Sequence, residues 1–261
     1  MFFTKKGVIP TGHKQQNGIT WAFSPVKVMP APEKVYIPLA QHIGAPAKAV
    51  VEKGQYVKVG ELIGQAQGKV SCNIHSSVSG KVLDIIKYPG ITGNPTDCIV
   101  IDNDNTYESV PQQGLTNPDS QEIINAVFNA GIAGMGGAAF PTHVKLGTDV
   151  KIDYLIVNGT ECEPFITADN RLMIESAHTV VQGAVYAAKA VGAPQIIIGI
   201  EANKPAAIEE MQKAAAAYEN IKITVLPKRY PMGAEKQLIY RLTKLVVPSG
   251  QLPASKGCVV Q

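Results

Sequence analysis

The sequence has little charge of either sign and no long hydrophobic run. Charged residues make up 17% of the 261 residues, and 24 basic against 21 acidic side chains give a formal charge of +3. Because the two signs are interspersed, no basic stretch of the kind that binds nucleic acid is present. No apolar run approaches the length that crosses a bilayer, so the sequence indicates no membrane span.

Cysteine pairs at short spacing are also lacking. The four cysteines are far apart, at Cys72, Cys98, Cys162 and Cys258. This spacing excludes a zinc ribbon or an iron–sulfur cluster built from a local motif of this stretch. We therefore expect free thiols and no metal site.

The first 107 residues have the composition of an arm and a β-rich domain. Residues 1–33 are rich in proline and lack periodicity, which predicts an extended arm. Residues 34–107 contain short β-rich runs separated by glycines, which predicts a small all-β barrel-sandwich module. The runs 51–64 and 79–82 resemble the two halves of a lipoyl or biotinyl domain. Lys69 lies near the place of the modified lysine in such carriers, although a solvated turn lysine is the favoured interpretation.

From residue 118 the pattern changes to alternating helices and strands. The sequence predicts an α/β domain over 118–245 with a mainly parallel sheet, and assigns 246–261 to the start of a following domain. The strands are expected at 153–157, 195–200 and 222–226, and the helices at about 119–130, 176–191, 205–218 and 234–245. Gly131 and Gly192 are expected to end two of these helices, and Pro205 to begin a third.

Four glycines lie within seven residues, from Gly131 to Gly137. Without Cβ atoms the backbone amides of such a segment can approach a ligand and form an anion nest. Lys145 can add a charge beside a phosphate, and Phe140 can stack on a planar ring. The pattern predicts a nucleotide or flavin site, with a flexible turn as the alternative. The candidate residues are Gly134, Gly136, Gly137, Ala138, Phe140 and Lys145.

A second candidate loop, 158–164, follows the strand predicted at 153–157. Ligands of open α/β sheets bind beyond the carboxyl ends of the strands. Asn158 and Thr160 are expected to hydrogen-bond a ribityl chain or a ribose, and Glu161 and Glu163 to accept from ribose hydroxyls or a carboxamide. The alternative is that the acids favour the N-terminus of the next helix. Cys162 is expected to line the pocket, and His143 is either a proton donor or an ordinary packed histidine.

Together the two loops resemble a known family. The segments 136–146 and 158–164 resemble the flavin- and NADH-binding subunit of respiratory complex I. The fuller resemblance is to the RnfC subunit of the Rnf complex, a ferredoxin:NAD oxidoreductase that pumps ions. It extends to the runs 36–46, 230–240 and 247–250, and so covers almost all of the chain.

The resemblance implies an α/β fold preceded by an all-β module, with FMN and NADH as cofactors. Gly233 and Glu235 would join the flavin pocket, and hydride exchange would need no catalytic side chain. The family also implies a peripheral place on the cytoplasmic side of the membrane. Other subunits of the complex would be its partners, and ferredoxin would be an indirect one. The family's [4Fe-4S] clusters are expected only in a C-terminal region absent from this sequence.

Three departures from the family pattern favour an alternative function. Ala139 stands where the family most often has glycine, and Met135 stands where the complex I loop has arginine. The family continues beyond Gln261, so a fragment is expected here. The alternative is a non-catalytic scaffold module that keeps the fold without flavin. A carrier modified at Lys69 is a third possibility.

Overall fold

The computed structural model describes residues 24–90, 93–135, 139–163 and 165–261, with the backbone of two short N-terminal strands. These strands, β1 (Phe3–Thr4) and β2 (Gly7–Val8), pair antiparallel. Apart from these two strands, the predicted arm lies outside the described residues as far as residue 23. The chain forms two compact units, which we call the β-rich unit (Val28–Gly147) and the α/β unit (Met1–Lys27 with Thr148–Gln261).

The strands of the β-rich unit form two antiparallel sheets. They are β3 (Lys34–Pro38), β4 (Lys48–Ala49), β5 (Tyr56–Val57), β6 (Leu62–Gln65), β7 (Ile74–His75), β8 (Gly80–Pro89) and β9 (Pro95–Asn103). One sheet has the order β3-β9-β8-β5 and the other the order β4-β6-β7. A single apolar core is built from both sheets, with Val57, Ile63, Ile99 and Ile101 fully buried in it. The all-β character predicted for residues 34–107 is therefore present.

Two helices follow in the same unit, α1 (Ser120–Asn129) and α2 (Thr142–Leu146). Asp119 caps α1 with a complete capping box, since its side chain accepts from the amide of Glu122 and the Glu122 side chain accepts from the amide of Asp119. Gly131, with φ of +66°, follows the cap residue Ala130, as the sequence predicts. The β-rich unit extends to Gly147 and therefore includes both helices, because the segment after α1 packs on the strands, as described below.

The α/β unit alternates strands and helices. Its elements are β10 (Tyr154–Gly159), α3 (Ala168–Glu175), α4 (Ala177–Val191), β11 (Gln195–Glu201), α5 (Pro205–Ala215), β12 (Ile221–Leu226), α6 (Glu235–Thr243), a short 3-10 helix (Pro253–Lys256) and β13 (Cys258–Val260). All strand pairs in this sheet are parallel, in the order β12-β11-β10-β13. The predicted parallel sheet is confirmed.

The helix α4 shows why this unit folds as the sequence predicts. Buried residues at positions 177, 181, 184 and 188 form one stripe, which packs on the buried isoleucines of β11. Gly192 ends the helix in the left-handed conformation with φ of +66°, and Pro205 opens α5 in its first turn. Among the described residues, no helix is both long and apolar enough to cross a membrane.

The last residues complete the sheet. The sequence assigns 246–261 to a following domain, whereas β13 pairs with β10, with Leu155 opposite Val259. Its three residues are all buried, and they contribute to the cores on the two faces of the sheet. The strand order therefore reverses between β10 and β13, which is the place where open parallel sheets bind ligands.

Candidate functional site

The carboxyl ends of β10 and β13 are held together by backbone hydrogen bonds. The amide of Asn158 donates to the carbonyl of Gln261 at 2.7 Å, and the amide of Gln261 donates to the carbonyl of Ile156 at 2.9 Å. The side-chain Nε2 of Gln261 is buried and has no hydrogen-bond partner among the described residues. A buried hydrogen-bond donor without a protein partner, at the point where the strand order reverses, indicates a binding site for a polar ligand.

Three predicted site residues meet at this edge. The Asn158 side chain donates from Nδ2 to the carbonyl of Gly233 at 2.9 Å, and its Oδ1 accepts from the Thr160 hydroxyl at 2.7 Å. Gly233 has no room for a side chain, because a Cβ there would lie 2.4 Å from Thr160 Oγ1 and 3.1 Å from Cys162 Sγ. The structure thus brings the loop after β10 into direct contact with the segment that leads to α6.

Glu161 is engaged by the protein itself. Its Oε1 accepts from the amide of Asp169 in the first turn of α3 at 2.7 Å, and its Oε2 forms an ion pair with Lys204. The two side chains are only 1% and 5% exposed, respectively. Of the two interpretations of this acid, the geometry matches the one in which it stabilises the N-terminus of the next helix. Within the described structure, Glu161 is therefore a positioning residue.

Lys204 is a site residue that the sequence analysis missed. It lies just after the carboxyl end of β11, the strand next to β10, and is buried beside the acidic loop. A signal for it was available, since residues after neighbouring parallel strands meet at one edge of the sheet. The sequence analysis considered the next residue, Pro205, only as the beginning of a helix.

The two remaining candidate acids, Glu163 and Glu235, differ in exposure. Glu163 is exposed, whereas Glu235 is half-buried at the first position of α6. Cys162 is half-buried beside Gly233. Glu163 is thus placed to meet a ligand from solvent, and Cys162 contributes to the wall of the cluster around Asn158.

The glycine loop belongs to the β-rich unit and is held as a hairpin. The amide of Gly134 donates to the carbonyl of Phe140 at 2.9 Å, and the amide of Thr142 donates to the carbonyl of Ile132 at 3.0 Å. Ala133 and Pro141 form an antiparallel bridge between these two bonds. The predicted residues Gly136, Gly137 and Ala138 lie outside the described residues, as does Pro164 of the acidic loop.

Side chains after the hairpin pack on the β-rich unit. Lys145 lies on α2 rather than in the loop, and Phe140 is half-buried. The His143 ring makes an edge contact with Phe128, with 4.9 Å between the ring centroids. Burial lowers the pKa of His143, so its ring is neutral near pH 7. A packed histidine therefore fits the structure better than a proton donor. Lys69 is exposed in the turn between β6 and β7.

Ala139 has a backbone conformation that favours glycine, with φ of +48°. A Cβ in the left-handed region costs about 1–2 kcal/mol, so we expect Ala139→Gly to stabilise the chain by about 1 kcal/mol. Urea unfolding measures this change. Ala130→Gly is the matched control, because Ala130 has helical φ and ψ and glycine should destabilise there. Equal effects of the two variants would contradict the prediction.

Comparison with known proteins adds two family matches. The model described as the Nuo51 FMN-binding domain matches residues 127–261, and the model described as the RnfC barrel sandwich hybrid domain matches residues 2–106. The two matches divide the chain between residues 106 and 127.

Curated relatives are similar over nearly the whole chain. The C subunit of the proton-translocating ferredoxin:NAD(+) oxidoreductase complex of Clostridium ljungdahlii is 45% identical, over 98% of this chain and 56% of that protein. The C subunit of the Na(+)-translocating complex of Acetobacterium woodii is 43% identical, over 98% and 58%. The C subunit of the ion-translocating oxidoreductase complex of Rhodobacter capsulatus is 39% identical, over 99% and 51%. The chain therefore spans about half the length of these relatives.

Proposed function

We propose that this chain, which belongs to the family of Nuo51 FMN-binding domains, binds FMN and exchanges hydride with NAD(H). The family match covers all of the sheet in the α/β unit and the glycine loop. Hydride exchange between the nicotinamide and the flavin ring is the chemistry that the bound cofactor supplies. The protein's own contribution is binding, orientation and electrostatics.

The observation that carries the proposal is the polar edge where β10 meets β13. The strand order reverses there, the Nε2 of Gln261 is buried with no partner in the described part of the chain, and Asn158 and Thr160 lie beside it. A flavin's ribityl hydroxyls and ring carbonyls are the kind of groups that would satisfy such donors and acceptors. The residues present therefore fit the cofactor.

We infer a second contribution from the glycine loop. Gly134 is exposed, and its amide closes the hairpin by donating to the carbonyl of Phe140. Backbone amides of such a loop suit a phosphate, and Lys145 adds positive charge in the same unit. The nicotinamide nucleotide is assigned to Glu163, whose carboxylate can accept from ribose hydroxyls or the carboxamide, and Glu235 is assigned to the flavin pocket.

The finer fold assignments are part of the same proposal. The two antiparallel sheets with one core suit a lipoyl-like barrel-sandwich fold. The order of the parallel sheet, numbered from its first strand, is 3-2-1-4, which is the order of a Rossmann-like half sheet. Of the domain limits, we retain 34–107 for the β-rich module as a proposal.

For the whole protein we propose a role in the kind of complex that the relatives' names state. It would be the NADH- and FMN-binding subunit of an ion-translocating ferredoxin:NAD oxidoreductase, with other subunits of that complex as partners. A peripheral place on the cytoplasmic side of the membrane is proposed with it. Electrons would pass between the flavin and ferredoxin, in either direction, through [4Fe-4S] clusters outside residues 1–261.

Anaerobic titration tests the redox part of the proposal. The chain is loaded with FMN and mixed with NADH, and bleaching of the flavin absorbance is followed. We expect the wild-type flavin to be reduced, and Glu163→Gln to raise the NADH concentration needed for half reduction by about tenfold, or about 1.4 kcal/mol. Charge loss at the exposed Glu219, in the variant Glu219→Gln, is the matched control and should change nothing.

Two results would count against this function. Failure of wild-type chain to bind FMN would favour the scaffold alternative, in which the fold persists without flavin. Equal responses of Glu163→Gln and Glu219→Gln would remove Glu163 from the nucleotide site while leaving FMN binding intact.

A further inference from the structure

We propose that, within the β-rich unit, the turn at 42–45 and the segment at 69–73 hold the two described sides of the glycine-loop hairpin, 131–135 and 139–142, in the position that FMN binding needs. His42 is the central positioning residue of this arrangement. The inference rests on the proposed function, since it assigns a role in FMN binding to residues that touch only protein. It also assigns a positioning role to residues of the run 36–46, which belongs to neither of the two candidate loops.

His42 is buried and bonded on both ring nitrogens. The amide of Cys72 donates to His42 Nε2 at 3.0 Å, and His42 Nδ1 lies 3.1 Å from the carbonyl of Ile43. A backbone amide can only donate, so Nε2 carries the lone pair and Nδ1 carries the proton. The residue is 6% exposed. It therefore fixes the turn at 42–45 against the segment at 69–73 with little competition from water.

That turn reaches the glycine loop directly. The amide of Ile43 donates to the carbonyl of Ala139 at 3.3 Å. Ala139 precedes Phe140, and the carbonyl of Phe140 accepts from the amide of Gly134 across the hairpin. A displacement of the turn would thus be passed to both sides of the loop.

The first side of the loop rests on the same segment. A Cβ on Gly131 would lie 2.1 Å from the carbonyl oxygen of Asn73, so the two backbones are in close contact. Cys72 Sγ lies 3.7 Å from the carbonyl oxygen of Ile132. Both sides of the hairpin therefore contact residues to which His42 is hydrogen-bonded.

The turn and the segment are locked together by further contacts. The amide of Ala45 donates to the carbonyl of Val70 at 3.0 Å, and the hydroxyl of Ser71 donates to the carbonyl of Ala45 at 2.8 Å. Gly44, with φ of +96°, passes so close that a Cβ would lie 2.2 Å from the Val70 carbonyl oxygen. These contacts fix the turn and the segment relative to each other, as a supporting shell of a binding site requires.

The test compares FMN and riboflavin binding in the full chain. Riboflavin lacks the phosphate, so the ratio of the two dissociation constants reports on the anion site. We expect His42→Leu to weaken FMN binding by about tenfold and riboflavin binding by less than about twofold. His42→Gln places an amide oxygen near the position of Nε2 and should restore most of the affinity for FMN.

A matched control separates positioning from stability. Val57 is fully buried in the same unit, in β5, and Val57→Ala should destabilise the fold without changing either dissociation constant. Wild-type binding with an unchanged FMN-to-riboflavin ratio in His42→Leu would overturn the inference and leave the proposed function standing. No FMN binding by the wild-type chain would overturn both.

Hydrogen exchange of the wild-type chain decides the matter if His42→Leu does not fold. FMN should slow exchange of the amides in 42–45 and 70–74, because bound ligand stabilises the hairpin that these residues contact against local opening. Exchange in β8, at 82–86, should not change. Binding of FMN without added protection at 42–45 would overturn the inference.

Discussion

Replacing Lys204 with methionine is expected to destabilise the chain by about 3–5 kcal/mol. The ammonium group pairs with Glu161, whose side chain is only 1% exposed, so the substitution removes the ion-pair partner of a buried carboxylate. Methionine keeps most of the length of the lysine side chain, so the loss is electrostatic rather than one of packing. Urea unfolding, with the midpoint and slope both fitted, measures the change.

Two further variants identify the cause. The double variant Lys204→Met with Glu161→Gln removes both charges, and should be more stable than Lys204→Met alone. Lys53→Met breaks an exposed ion pair with Asp84 in the other unit and should cost no more than about 1 kcal/mol. The account is contradicted if Lys204→Met costs no more than Lys53→Met, or if the double variant is the least stable of the three.

Replacing Gly233 with alanine is expected to weaken FMN binding by about a hundredfold, or about 2.8 kcal/mol. The added Cβ would lie 2.4 Å from the Thr160 hydroxyl and 3.4 Å from Asn158 Oδ1. The acidic loop therefore has to move away from the α6 segment, which breaks the bond from Asn158 to the Gly233 carbonyl. Quenching of flavin fluorescence measures the dissociation constant.

The control for this variant is a glycine with free space around it. Gly183 lies within α4, and a Cβ there would meet nothing within 4 Å. Gly183→Ala should stabilise the helix by about 1 kcal/mol and leave FMN binding unchanged. If Gly233→Ala binds FMN as tightly as Gly183→Ala does, the cluster around Asn158 is not part of the flavin site.

Local signals in the sequence predicted much of the fold. The glycines at 131 and 192 and the proline at 205 each act within a few residues, and the structure places the helix ends there. The runs of buried isoleucine likewise became strands of the parallel sheet. These features are determined by neighbours along the chain, which is why they could be predicted without a structure.

Features that depend on distant residues could not be predicted in the same way. The helix α3 has a single buried residue, Met173, and therefore no apolar stripe that would predict it. Its first turn is stabilised by the carboxylate of Glu161, which lies seven residues before Ala168 in the sequence. Lys204 looks like an ordinary surface residue until Glu161 lies beside it. The strand β13 has only three residues and becomes recognisable through its pairing with β10.

Calorimetric titration of the unaltered chain with FMN tests the central claim most directly, with riboflavin as the paired ligand. The account predicts one FMN bound per chain. Riboflavin should bind more weakly by about tenfold or more, because it lacks the phosphate that the charged and backbone donors would bind. Absence of FMN binding, or equal affinity for FMN and riboflavin, would contradict the account.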